Sequence, residues 1–201
     1  MTTVSEFALS STCSTAGLRP LNDQILALLL PVVSAELVRC DDILRPSGNS
    51  TIALLQPAAK ESLRHAIDAR GRQMELVHGY RTVAQQMVLR EWFLHGQRCG
   101  IKSARAPGRS DHEKGTAIDI NDFAGWKPFL TNRGWQWAGM GDRAHFHFVG
   151  GGTTDRILRE SIRAFQRLWN QHNPQDRIAE DGVYGEGETG PRLRRSPIEG
   201  F

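Results

Sequence analysis

The stretch Ser110-Asp111-His112-Glu113-Lys114-Gly115-Thr116-Ala117-Ile118-Asp119 decides how the rest of the chain is read. It sets an imidazole, His112, ahead of a carboxylate, Asp119, with Gly115 and Ala117 between them. Residues 115–121 read as a strand, in which Asp119 shares a face with Ala117 because alternate strand residues point the same way. His112 sits on the approach to that strand. A histidine nitrogen and an aspartate oxygen converging across a glycine-containing turn form a half-site for zinc. A lone histidine is more often a core or surface residue than a ligand. The reading therefore depends on a third ligand, a base and a substrate clamp.

Working outward, Gly141-Asp142-Arg143-Ala144-His145-Phe146-His147-Phe148-Val149-Gly150 supplies candidates for two of these. His145–Val149 is rich in aromatic and β-branched residues between glycines and reads as a strand. Two assignments are open. In the first, Asp142 is a general base and His145 a metal ligand. In the second, His147 is the ligand and His145 a supporting group, since residues two apart share a strand face. Two histidines and one aspartate with a position left for water match a catalytic zinc site rather than a closed structural one. A nearby carboxylate such as Asp142 then takes the proton as water attacks a carbonyl.

At these residues the chain resembles the zinc D-alanyl-D-alanine carboxypeptidase and endolysin peptidase family, peptidase family M15. The family's first motif, S-x-H-x-x-G-x-A-x-D, is filled by Ser110, His112, Gly115, Ala117 and Asp119. Its second, E/D-x-x-H before an aromatic-rich strand, is filled by Asp142, His145 and Phe146, with Asp where many members carry Glu. Gly79-Tyr80-Arg81-Thr82 followed by Gln85 and Gln86 is similar to a third family segment. The resemblance spans roughly residues 50 to 152. It implies His112, Asp119 and His145 as zinc ligands, with His147 as the alternative, and Asp142 and Arg81 as catalytic residues. It also implies Arg81, Ser110 and Gln86 on the substrate. An arginine suits a peptide carboxylate because its planar fork binds bidentately and stays charged.

The remaining chain frames this unit. A length of 201 residues allows one domain with a small appendage. Hydrophobic residues at 39% and charged residues at 23% are ordinary for a globular protein. A net charge of +3 suits an anionic polymer such as a cell wall and gives no case for nucleic acid. Residues 1–17, rich in Ser and Thr, read as a mobile lead-in. Residues 22–39 read as a helix that Pro31 kinks or divides. The apolar run from Ile25 to Val33 resembles a signal-peptide core, but Glu6 and Asp23 precede it, and a packing helix is the better reading. That run is too short to span a membrane.

Residues 44–51 read as a loop. Pro57 opens a helix that runs to about Ala69 and ends at Gly71. Met74–His78 reads as a strand, Val83–Gly96 as a helix, and Trp126, Trp135 and Trp137 as core more than substrate platform. Cys40 and Cys99 flank elements expected near the site and are expected to pair, which favours an oxidising compartment.

Glycines 150–152 mark a hinge. Beyond it, Ile157–Asn170 reads as an amphipathic helix, then Asp181-Gly182-Val183-Tyr184-Gly185 as a turn and Thr189–Arg195 as a short helix. This order, with Ala164-Phe165-Gln166-Arg167-Leu168, resembles a small peptidoglycan-binding repeat, truncated at its end. Wall binding and docking onto the first unit are its competing uses.

The expected fold class is α+β: a small antiparallel sheet flanked by helices and carrying a zinc site, plus a small C-terminal helical unit. The expected units are a lead-in over 1–17, a zinc peptidase domain over 18–152 and a peptidoglycan-binding-like unit over 153–201. The resemblance implies a monomeric, Zn2+-dependent peptidase acting on peptidoglycan stem peptides outside the cytoplasm, of D-alanyl-D-alanine carboxypeptidase type. The alternatives are an L-alanyl-D-glutamate-type endopeptidase, as an endolysin or secreted wall-lytic toxin, and a non-catalytic wall-binding protein.

Overall fold

The computed structural model describes residues 1–10 and 12–201. In chain order the elements are α1 (Val4–Leu9), a 3₁₀ turn (Thr15–Leu18), α2 (Arg19–Leu29), β1 (Val38–Arg39), β2 (Leu44–Pro46), β3 (Leu54–Leu55), α3 (Pro57–Arg70), β4 (Met74–His78), α4 (Val83–Leu94), α5 (Asp111–Lys114), β5 (Ala117–Ile120), α6 (Phe123–Thr131), β6 (Trp135–Trp137), β7 (His145–Phe148), α7 (Arg156–His172) and α8 (Thr189–Arg195). The fold is α+β. A five-stranded sheet runs in the order β2-β4-β5-β7-β6, and β1 pairs with β3 in a separate two-stranded ribbon. The large sheet is antiparallel except for β2, which lies parallel to β4.

Strand alternation sorts the sheet's two faces. Ile118, Ile120 and Phe146 point into a core completed by Leu63 and Ala66 of α3 and by Trp126 of α6. The intervening Asp119, His145 and His147 point the other way. The register sets Asp119 opposite His145 and Ala117 opposite His147. Between Leu76 and His78 the pairing with β5 shifts by one residue. Such a bulge re-aims the side chains beyond it. His78 consequently leaves the core face of Leu76 and sits opposite Asp119.

A second core lies on the other side of the site, built from α1, α2, α4, α7 and α8. Ile25, Leu29 and Val33, from the run with signal-like character, are buried within it together with Leu21. Each such side chain contributes about 1.5–3 kcal/mol by leaving water. The α7 helix buries Ile157, Ile162, Phe165 and Leu168 against this core. Tyr80 Oη donates to Ser161 Oγ at 3.0 Å. The buried Gln56 amide joins Lys114 O to both backbone groups of Thr154, each at 2.8 Å. The C-terminal helices thus brace the segments that carry Arg81 and His112. Within them, Gln166 and Asn170 bind the backbone of the turn at residues 178–183.

Several expectations need correction. Part of the supposed mobile lead-in is helix α1, with a capping box between Thr3 and Glu6 and with Val4, Phe7 and Ala8 buried. So short a helix has little intrinsic stability, and its packing is what a propensity reading misses. Ser11, within the same lead-in, lies outside the described residues. The helix expected over 22–39 begins at Arg19 and ends at Leu29, two residues before Pro31. The loop expected over 44–51 contains β2. The disulfide joins Cys13 to Cys99, not Cys40 to Cys99. Cys40 is a free thiol inside the sheet-side core, and burial pushes its pKa up to about 12.

Candidate active site

The site grows from the local grammar of residues 110–119. Ser110 caps α5: its Oγ accepts from the His112 amide, and Glu113 reaches back to the Ser110 amide. Gly115 ends this single turn at φ 75°, a left-handed conformation that glycine adopts without penalty. A Cβ there would also lie 2.7 Å from Leu37 Cδ1. The chain then enters β5 with Asp119 on the face that looks back at His112.

Three candidate ligand atoms meet at that point. His112 Nε2 lies 3.1 Å from His145 Nδ1 and 3.3 Å from Asp119 Oδ1, and the last two are 3.0 Å apart. Tetrahedral zinc with bonds of about 2.0–2.1 Å keeps its ligand atoms about 3.3 Å apart. The triangle therefore has the size that such an ion requires. The tautomer fits as well. His112 Nδ1 donates to the Gly79 carbonyl at 2.7 Å, which leaves the Nε2 lone pair facing its neighbours. Burial, with the Arg81 charge, pushes the His112 pKa down to about 4 and keeps the ring neutral.

Asp119 is held from behind. Its Oδ2 accepts from Arg81 Nη2 at 2.7 Å and lies 3.2 Å from His78 Nδ1. Although burial alone would raise it, neighbouring histidines hold the Asp119 carboxyl well below the usual carboxylate range. Arg81 has five donors on its fork. One arm grips Asp119, and the guanidinium also borders the open cleft.

That cleft encloses about 440 Å³, and its lining includes Arg81, Gln86, Asp142, His145 and the Cys13–Cys99 bridge. Asp142 stands at the solvent-reachable rim. Lost hydration and the Asp119 charge raise its carboxyl above the ordinary value, with His145 and Arg81 opposing. Gln86 is buried. Its Nε2 donates to Arg105 O at 2.8 Å, and its Oε1 has no hydrogen-bond partner among the described residues.

The structure thus brings together His112, Asp119, His145 and Arg81, and places Asp142, Ser110 and Gln86 on the same cleft. His147 lies outside the triangle. It forms a more open group with Asp111 and His145, whose ligand atoms fall within 4.8 Å of one another. Ser110 acts on the backbone as a helix cap. The sequence reading missed His78, which only the bulge brings to Asp119. It also missed Glu113, although the pattern Ser-x-x-Glu at 110–113 is a capping-box signature. Burial pushes Glu113 up to about 8, against the pull of amide donors from Gly108 and Ser110.

Comparison with known proteins bears on the same stretch. No curated protein matches this chain. One solved structure, described as "Structure of the LdcB LD-carboxypeptidase reveals the molecular basis of peptidoglycan recognition", is similar at 22% identity. The likeness covers 58% of this chain and 69% of that one, with a TM-score of 0.46. Residues 53–147 match the family model VanY, D-alanyl-D-alanine carboxypeptidase. Over those residues, which hold the triangle, Arg81 and Asp142, this chain resembles the D-alanyl-D-alanine carboxypeptidase family, as its motifs implied.

Proposed function

We propose that the protein is a zinc-dependent carboxypeptidase that removes the terminal D-alanine from peptidoglycan stem peptides. The observation that carries this reading is the triangle of His112 Nε2, Asp119 Oδ1 and His145 Nδ1, with edges of 3.0–3.3 Å, opening onto a cleft with Asp142 at its rim. When bound, a zinc ion supplies Lewis-acid polarisation and a water of lowered pKa there.

The chain's own residues do the rest. Asp142, whose carboxyl is raised above the ordinary value by lost hydration and the Asp119 charge, accepts the proton of the attacking water at a carboxylate oxygen and passes it to the departing amine. Arg81 fixes Asp119 through one arm and presents its remaining donors to the substrate carboxylate. Gln86 lines the cleft, and its Nε2 donates to Arg105 O, holding the segment that forms the substrate wall. Ser110 and Gly79 orient His112.

The Cys13–Cys99 disulfide supports action outside the cytoplasm, where such bridges persist. Among the described residues no helix is long and apolar enough to cross a membrane. The C-terminal helices serve as a packing partner of the catalytic half, and the enzyme acts as a monomer. Metal analysis of single variants tests the ligand set. His145→Ala should lose zinc while His147→Ala retains it; the reverse would move the ligand two residues along β7.

A further inference from the structure

Next to the cleft lies a second hollow of about 240 Å³, and Thr15 and Ser50 line both. One buried amide fixes this saddle: Gln85 Nε2 donates to Thr15 Oγ1 at 3.2 Å and to Ser50 O at 3.0 Å. The same Gln85 caps α4 by accepting from the Thr82 amide, so the saddle is tied to the element that follows Arg81. Most of the hollow's lining precedes residue 53, where the family match begins.

The hollow's chemistry is amphoteric. Arg19 faces Asp23 at 3.7 Å with side chains 63% and 64% exposed, and Arg39 faces Asp41 at 2.9 Å with 80% and 43% exposed. Ion pairs this exposed contribute about 0–1 kcal/mol. A ligand carrying its own carboxylate and ammonium displaces them at little cost. Leu26 and Ile52 add apolar wall. A polyanion would meet Asp23 and Asp41, and a lipid tail would meet four charges.

Resting on the carboxypeptidase reading, we infer that the substrate surface continues over the Thr15–Ser50 saddle. The second hollow holds a second, zwitterionic peptide arm of the same substrate. The preferred substrate is then a branched or cross-linked peptide rather than a single linear one.

Gly48 allows a clean block. It lines the hollow, is exposed, and a Cβ built on it meets nothing within 4 Å. Gly48→Trp fills the hollow at a distance from the catalytic groups, and unchanged zinc content and thermal midpoint verify that the fold survives. Calorimetry on zinc-loaded Asp142→Ala protein, in which turnover is slowed, compares a linear pentapeptide ending in D-alanyl-D-alanine with the same peptide bearing on its side-chain amine a second peptide that keeps a free N-terminal amine and a side-chain carboxylate. The branched peptide should bind at least about tenfold more tightly, as a second linked contact provides. Adding Gly48→Trp should remove that gain and leave the linear peptide within about twofold of its parent value. Equal binding of both peptides to the parent, or equal weakening of both by Gly48→Trp, overturns the inference while leaving the carboxypeptidase reading standing. Binding of neither peptide overturns that reading and this inference with it.

Discussion

The two cores on either side of the cleft do different work. The sheet-side core, from Cys40 to Phe148, holds the strands that present Asp119 and His145. The helical core joins both ends of the chain, from Val4 to Leu193, around α4. From its side come Gln86, Leu89 and Trp92, and with them the strap at Cys13–Thr15. In the proposed reading, the sheet side presents two of the three candidate ligands, Asp119 and His145, through the β5–β7 register. The helical side and the Cys13–Cys99 bridge line the opposite wall of the cleft.

Substitutions that separate metal binding from stability sharpen this division. Asp119→Ala should have the largest effect. It removes a ligand and the shared anchor of Arg81 and His78, so zinc affinity should fall by more than about 100-fold, beyond the cost of losing an outer partner alone. Equilibrium dialysis measures this, and retention of zinc would break the assignment. Phe165→Ala, in the helical core, should cost about 3–5 kcal/mol in urea unfolding. Below the unfolding transition it should leave zinc affinity unchanged. An equal loss of zinc would mean that the two halves do not divide the work.

Removing the disulfide by Cys13→Ser with Cys99→Ser should cost about 2–5 kcal/mol. Because the bridge borders the cleft, the Michaelis constant should rise more than turnover falls. A change in turnover alone would place the strap in the chemistry instead.

The smallest effect is a pH slope. With its pKa near 8, Glu113 keeps a proton in the native state that the unfolded chain, with an ordinary value of 4.5, has released. Between pH 6.5 and 8 the native state therefore binds more protons than the unfolded chain, and stability falls as pH rises. His112, pushed down from 6.5 to about 4, has the opposite sign, so it partly offsets the decline near pH 6.5 and fades as the unfolded imidazole deprotonates above that. Urea midpoints of the metal-free protein should decline from pH 6.5 to 8, and Glu113→Gln should flatten the decline. A slope unchanged by Glu113→Gln would remove that residue as its source.

The division also governs what could be read from the sequence. On the sheet side β4, β5 and β7 were legible, because period-two alternation and the fixed spacing of Ser110, His112, Gly115, Ala117 and Asp119 are local signals, whereas the short strand β2 was read as a loop. The bulge at Val77 was not legible: one extra residue leaves no mark in composition, yet it carries His78 to Asp119. On the helical side, α4 and α7 were legible from their apolar spacing, whereas α1 was hidden because packing, not propensity, holds it. The disulfide was misassigned because three cysteines allow three pairings and only the tertiary fold selects one. Cys40 sits in the sheet-side core while Cys13 and Cys99 meet at the cleft.

The most direct test of the central claim is mass spectrometry of a stem pentapeptide ending in D-alanyl-D-alanine, incubated with zinc-loaded protein and with zinc-loaded Asp142→Ala. The account predicts loss of one terminal alanine with the unsubstituted protein and, for Asp142→Ala with zinc still bound, a rate lower by about 10²–10⁴-fold. An intact peptide in both samples, or the same cleavage rate in both, would contradict it.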